Sequence, residues 1–349
     1  MHRGSGLKRK EWLSLITCLL LLGISIAACG VPDSSRSVVI YTSVDQVYSE
    51  PILKKFEEET GIQVLPVYDV EAAKTTGLVN RLIAERNNPQ ADVFWNGEFV
   101  QTILLKEEGV LAPYISQNAA AISAAYIDEE GYWVGFAGRA RVFIVNTNLI
   151  ESNEYPQSIF DMLDPERTAD KIGIAYPLFG TTATHAAAIY ATLGTESGRQ
   201  FFEQLYDRGI RVVDGNSVVR DLVASGQLVF GLTDTDDACS AVKAGSPVGI
   251  VFPDQDENAL GTLFIPNTVA LISNAPHERE AIELIDYLLS DTVAEALIRS
   301  GWSHITLRPV AAQSTCLQQI SIKGMDVNLE EIYKQLKLTK TELTEIFVR

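Results

Sequence analysis

From residue 38 onward, short β-branched runs alternate with runs of helical period, and few folds accept that alternation. Val38-Val39-Ile40-Tyr41 reads as a strand, and Tyr48, Ile52, Leu53 and Phe56 then recur at helical spacing. Thr60-Gly61 stops that helix, with Gly61 as its C-cap. Residues 62–67 alternate as a strand, and Leu78, Val79, Leu82 and Ile83 give a second helical face. Residues 91–95 form a short strand and 99–108 a helix. Such a βαβαβ order predicts an α/β fold with a mainly parallel sheet. A second unit repeats the logic, with strands at 141–145, 171–175, 211–213 and 227–232. Its helices open at Gly180-Thr181-Thr182-Ala183-Thr184 and at Asn216-Ser217. A strand at 268–272 and a helix at 281–289 follow, and there is no internal repeat. A chain of 349 residues suits two such lobes.

The first thirty residues are a targeting segment. Arg3, Lys8, Arg9 and Lys10 precede an apolar stretch at 13–26 that is short for a membrane span. It ends in Ile26-Ala27-Ala28-Cys29-Gly30, the pattern of lipoprotein signal cleavage, which makes Cys29 the lipidated N-terminus and 29–37 a tether. The expected location is the periplasmic or extracellular face of the cell membrane, with the lipid as the only membrane contact. Loss of residues 1–28 takes the formal charge from −17 to −20. That acidity argues against a nucleic-acid surface, and a monomer is expected. Cys239 and Cys316 remain, in a compartment that permits either a disulfide or two free thiols. No Cys/His spacing suggests zinc.

Residues 231–239, GLTDTDDAC, place Asp234, Asp236 and Asp237 within four positions, directly after the apolar run 228–230. Charges of one sign this close repel and need solvent or partners. The run lies at the carboxyl end of a strand, where a doubly wound sheet presents its ligand loops. A plainer reading makes Asp234 or Thr235 the N-cap of a helix holding residues 238–242.

Five segments carry a family resemblance: VVIYTSVDQ at 38–46, ETGIQV at 59–64, NPQADVFWNGE at 88–98, GFAGRARVFIVNT at 135–147 and GNSVVRDLVASGQLVFGLTDTDDA at 215–238. Together with the lipobox they resemble the extracellular solute-binding proteins of ABC importers, in the ferric-ion-binding branch, over about residues 37–345. The resemblance implies a two-lobe binding-protein fold (type II) with a hinge, and an ABC permease as partner. It places lobe 1 at 37–138 plus 267–315 and lobe 2 at 139–266 plus 316–349. It puts the family's histidine ligand at Asp45, its glutamate at Glu98 and its iron-binding tyrosine pair at Thr235 and Asp236. The anion-holding segment falls at Thr181, Thr182 and Ala183 with Asn216 alongside, and the arginines at Arg139 and Arg141. Neither tyrosine is present, so the resemblance implies the same pocket with a different set of donors.

The residue chemistry at those positions is coherent. Thr181 to Thr184 offer hydroxyls and free N–H groups at a helix start, an anion site, and Arg141 adds a planar fork for carboxylate or phosphate. Asp45, Glu98 and Asp236 supply hard oxygens for a metal ion or an ammonium group. Ferric iron or another metal with a bridging anion fits such a pocket. A phosphonate, a phosphorylated solute or another zwitterion is the alternative. Arg139 belongs either to the site or to a salt bridge, and Tyr41 and Trp95 either to the pocket wall or to the core. Trp133 and Trp302 read as packing, and His185, His277 and His304 as scattered core or surface residues. An exported hydrolase is the competing class, but no GxSxG, HExxH or Ser-His spacing supports it. No catalytic residue is expected.

Cys29→Ser is expected to release the protein from membranes or to block its processing. Fractionation is the check, and unchanged membrane retention of a processed variant contradicts the lipid anchor.

Overall fold

The computed structural model describes residues 36–68, 76–317 and 322–348. The leader, Cys29 and nearly all of the 29–37 tether lie outside the described residues. No helix among them is long and apolar enough to cross a membrane.

In the first unit β1 (Ser37–Thr42), α1 (Gln46–Thr60), β2 (Gln63–Tyr68), α2 (Thr76–Glu85), β3 (Val93–Asn96) and α3 (Val100–Glu107) follow one another. β1 lies between β2 and β3, parallel to both. Alternate strand residues enter opposite layers, as the period of two requires. Val38, Ile40 and Trp95 pack with Phe56 and Ile62, while Tyr41 and Phe94 pack with Leu78 and Leu82 on the other face. Gly61 takes the left-handed conformation (φ 70°) and its N–H caps Glu57 O. A β-carbon there is costly, which is why glycine ends this helix.

The second unit has β6 (Ile172–Ala175), α4 (Gly180–Leu193), α5 (Thr195–Arg208), β7 (Arg211–Val213), α6 (Asn216–Ala224), β8 (Phe230–Asp234) and α7 (Thr235–Lys243). β6 runs parallel to both β7 and β8. The strand expected at 227–232 begins three residues later. The N–H groups of Gln227 and Leu228 still reach back to Leu222 O at the end of α6, so that stretch cannot yet pair with a neighbour.

One strand joins the two units. β5 (Val134–Asn146) pairs antiparallel with β10 (Phe264–Ile272) as far as Ala140, and with β8 from Arg141. β10 also pairs with β3 and with the short β4 (Leu111–Ala112), and β5 with β9 (Val248–Val251), so β1, β3, β10 and the first half of β5 share a sheet. The expectation at 141–145 covered only the far half of β5. Gly135 and Gly138 blur the apolar period of the near half. Gly138 is needed for close approach, because a β-carbon there would strike the Ile265 backbone carbonyl. Asn267 lies at a register shift, and its Oδ1 accepts the Ala137 N–H at 2.8 Å.

The chain ends with α8 (Glu278–Leu288), α9 (Asp291–Ser300), the short β11 (Ile305–Thr306) on β5, and α10 (Leu329–Phe347). Leu329 and Ile332 of α10 pack with Tyr41 and Phe94, and its Leu343 and Ile346 with Phe202 and Tyr190. This helix therefore leans on both units. Cys239 and Cys316 are bridged, with Cα atoms 5.5 Å apart across 77 residues of chain.

Tyr41 and Trp95 are fully buried, which corrects the pocket-wall expectation. The Tyr41 hydroxyl donates to Glu85 at 3.0 Å, and Arg81 lies over its ring. Trp95 packs against Phe136 and Trp302.

Candidate functional site

The carboxyl end of β8 and the first turns of α4 and α6 meet on β5. Two arginines stand there, Arg139 and Arg141, two residues apart and so on one face of the strand. The β5–β8 register sets Arg141 directly opposite Asp234. The Arg141 side chain is fully buried, and its Nη1 donates to Asp234 Oδ1 at 2.7 Å. Thr181 and Asn216 complete the cage. The Thr181 hydroxyl donates to Asp234 Oδ2 at 2.6 Å, and Asn216 Nδ2 donates to the same oxygen at 3.1 Å. Arg141 also donates to Thr181 Oγ1 at 3.2 Å, Asn216 Oδ1 at 3.1 Å and Thr182 Oγ1 at 3.4 Å. Thr181 and Asn216 open α4 and α6, so two helix N-termini face the Asp234 carboxylate and favour its negative charge.

This network revises the expected anion end. Arg141, Thr181, Thr182 and Asn216 are brought together, but around the chain's own Asp234. The Ala183 N–H is held by Phe179 O inside the helix, so it has no free donor for a ligand. The capping expectation is corrected too. Asp234 occupies the N-cap position of α7 without making a cap bond. Thr235 is fully buried, and its hydroxyl oxygen accepts the Ala140 N–H at 3.1 Å, which leaves it no ligand-facing role like that of a phenolate.

The remaining aspartates follow the same rule of pairing. Asp236 Oδ2 meets Arg139 Nη1 at 3.3 Å, and Asp237 Oδ1 meets Arg220 Nη1 at 3.1 Å. Every aspartate of the run thus has an arginine, yet oxygens of all three carboxylates lie within 4.8 Å of one another. Asp236 Oδ1 is buried and has no hydrogen-bond partner among the described residues. Glu98 is half-buried, and its carboxylate accepts the N–H groups of Val100 at 2.6 Å and Gln101 at 3.0 Å, so it caps α3. Asp45 is half-buried at the start of α1 and makes no cap bond there. Ser43 Oγ ties the ends of β1 and β3, donating to Asn96 Oδ1 at 2.6 Å and accepting the Gly97 N–H at 2.9 Å.

Burial and crowding shift these groups together. Burial raises the Asp236 carboxyl, with Arg139 opposing and Asp234 reinforcing. Burial also raises Glu98, against the N–H groups at the head of α3 and the charge of Arg139. Asp237 is pushed up to about 7, first by burial and then by Asp236 and Asp234. Arg139 feels Asp236 most, then Asp234, Asp237 and Glu98. It is the shared cation of an acidic neighbourhood drawn from both units. The separate positive and negative ends expected from the sequence are therefore interleaved. Burial and Arg141 hold the His185 imidazole well below its ordinary value, hence neutral.

Asp234 and Arg220 were not singled out as site members from the sequence. The two-residue spacing of Arg139/Arg141 and of Asp234/Asp236 was the available signal. A cluster of Cys239, His304 and Cys316 was also missed, since its members come from distant segments. Segment 304–317 lines a cavity of about 480 Å³ that none of the acidic residues borders.

A family model described as bacterial extracellular solute-binding protein matches residues 52–321. Iron uptake protein A1 of Synechocystis is 22% identical over 349 residues, covering 93% of this chain and 94% of its own length. A Trichodesmium FutA structure in complex with iron and citrate superposes with a TM-score of 0.80 at 20% identity, covering 90% of this chain and 100% of that one. AfuA of Actinobacillus pleuropneumoniae, with fructose-6-phosphate bound, gives 0.71 at 23% identity over 90% and 99%. The two structures establish a shared two-lobe fold.

The raised Asp237 carboxyl fixes a pH dependence. Between its ordinary 3.8 and about 7, the folded chain keeps a proton that the unfolded chain releases, so rising pH costs stability over that window. Denaturant unfolding in metal-free buffer at pH values of about 5 and 8 is expected to show this loss, and Asp237→Asn to remove much of it. Equal pH dependence in the two proteins contradicts the assignment.

Proposed function

We propose that this chain, which belongs to the bacterial extracellular solute-binding proteins, captures ferric iron with a chelating anion and delivers it to an ABC permease. The observation that carries the reading is Asp236 Oδ1, a buried carboxylate oxygen with no partner inside a cluster of three carboxylates. A buried acceptor without a partner is costly, and a hard cation relieves that cost. The relative named for iron uptake in Synechocystis supports the choice of cargo.

Two phenolate ligands are replaced here by Thr235 and Asp236, and Thr235 is spent on the backbone. The protein therefore offers few iron donors, and the anion supplies most of the coordination. A citrate-like chelate suits that requirement. Its metal rests on Asp236, with Glu98 and Asp45 as donors from the facing unit, and its own carboxylates rest on Arg139. The buried Arg141–Asp234 cage shapes the floor without touching cargo. Capture closes two lobes, 37–138 plus 267–315 and 139–266 plus 316–349, about the shared strands β5 and β10. The chain binds and releases without turnover, and the lipid on Cys29 keeps it at the membrane as a monomer.

Calorimetric titration of the purified protein with ferric citrate tests this. Asp236→Asn keeps the shape and removes the charge, and is expected to weaken binding by roughly 1.5–3 kcal/mol. That range is about tenfold to 150-fold in Kd. Because cation binding expels protons from the raised Asp236 and Glu98 carboxyls, wild-type affinity is expected to fall as pH drops. Equal affinities for wild type and Asp236→Asn contradict the proposal.

A further inference from the structure

The cluster of Cys239, His304 and Cys316 shares no residue with the cargo site. Cys239 is fully buried on α7, and His304 is 7% exposed just before β11. Cys316 follows on the same segment as His304, and ligand atoms of all three lie within 4.8 Å of one another. His304 Nδ1 is 3.6 Å from Cys316 Sγ and 2.9 Å from Ser314 Oγ. In the structure the two sulfurs are bonded to each other.

We propose that the reduced form of this cluster is a binding site for a soft or borderline metal ion such as zinc or copper(I), with Cys239, Cys316 and His304 as ligands. The geometry supports it. Zinc legs of about 2.3 Å to sulfur and 2.0–2.1 Å to nitrogen span a tetrahedral S···N edge of roughly 3.6 Å. The observed His304–Cys316 separation matches that edge. Once the bond is opened, the sulfurs need part only to about 3.8 Å, the S···S edge of the same tetrahedron. A side-chain rotation supplies that displacement. Nδ1 faces the sulfurs, so the ligating tautomer carries its proton on Nε2. His304 and Ser314 also line the cavity of about 480 Å³, which leaves room for a fourth, exogenous ligand such as water.

The chemistry balances. A dithiol reductant exchanges with the bridge, becomes a disulfide itself and leaves two protein thiols. A divalent ion then binds both thiolates and releases two protons. With the bridge closed neither sulfur is a thiolate ligand, so metal uptake depends on redox state. The cluster lies one helical turn from Asp236 on α7, since residues three apart share a helix face.

The test uses the full chain and Co²⁺ alone as an optical probe, because thiolate-to-cobalt charge transfer separates sulfur ligation from binding at carboxylates. The phosphine-reduced, oxygen-free protein is expected to bind one equivalent with that band, and the unreduced protein to show none. His304→Ala leaves both cysteines in place and is expected to weaken binding at least tenfold. Cys316→Ser is expected to abolish the band. Should Cys316→Ser fail to fold, the unreduced protein and His304→Ala still decide. No charge-transfer band in the reduced wild type, or an unchanged affinity in His304→Ala, overturns the proposal.

Discussion

A single buried ion pair, Arg141 with Asp234, underlies the arrangement of the site. A charge removed from water is stable only with a close partner and with its remaining donors and acceptors satisfied. Asp234 has that partner at 2.7 Å, and Thr181 and Asn216 saturate its second oxygen. The same contacts draw the starts of α4 and α6 against β5 and β8. Removing Arg141 alone would strand a buried carboxylate, at a cost of about 3–5 kcal/mol. The pair is thus a structural post beside the Arg139–Asp236 pair.

That division explains why so much negative charge follows a core strand. Asp234 is spent internally and Asp237 is held by Arg220, and the Asp234 charge helps to raise the Asp236 carboxyl. Arg139 shares one Asp236 oxygen, and the other is buried with no hydrogen-bond partner among the described residues. The fold itself does not dictate cargo. AfuA, with fructose-6-phosphate bound, and FutA, with iron and citrate, superpose on the same chain.

The alternation of strand and helix was legible because burial imposes periods of two and 3.6 directly on the residues. The family and the two-lobe fold followed from it and from the motifs. What could not be read was register. Arg141 faces Asp234 only because β5 and β8 align at that offset, and a shift of one residue would have turned both away from each other. Arg141 and Asp236 are therefore expected at opposite ends of a pocket, whereas Arg141 pairs with Asp234 and Arg139 forms its salt bridge with Asp236. Tyr41 and Trp95 were ambiguous for a related reason, since an aromatic at a strand end looks the same whether the layer above it is protein or solvent. The Cys239–Cys316 bridge spans 77 residues and leaves no local trace.

The most direct test is a crystal structure of the protein soaked with ferric citrate, with anomalous differences measured at the iron edge. The account predicts one strong peak beside Asp236 Oδ1 between the two units, with a citrate carboxylate on Arg139 and the Arg141–Asp234 pair undisturbed. A peak elsewhere, or citrate bound at Arg141 with Asp234 displaced, would contradict it.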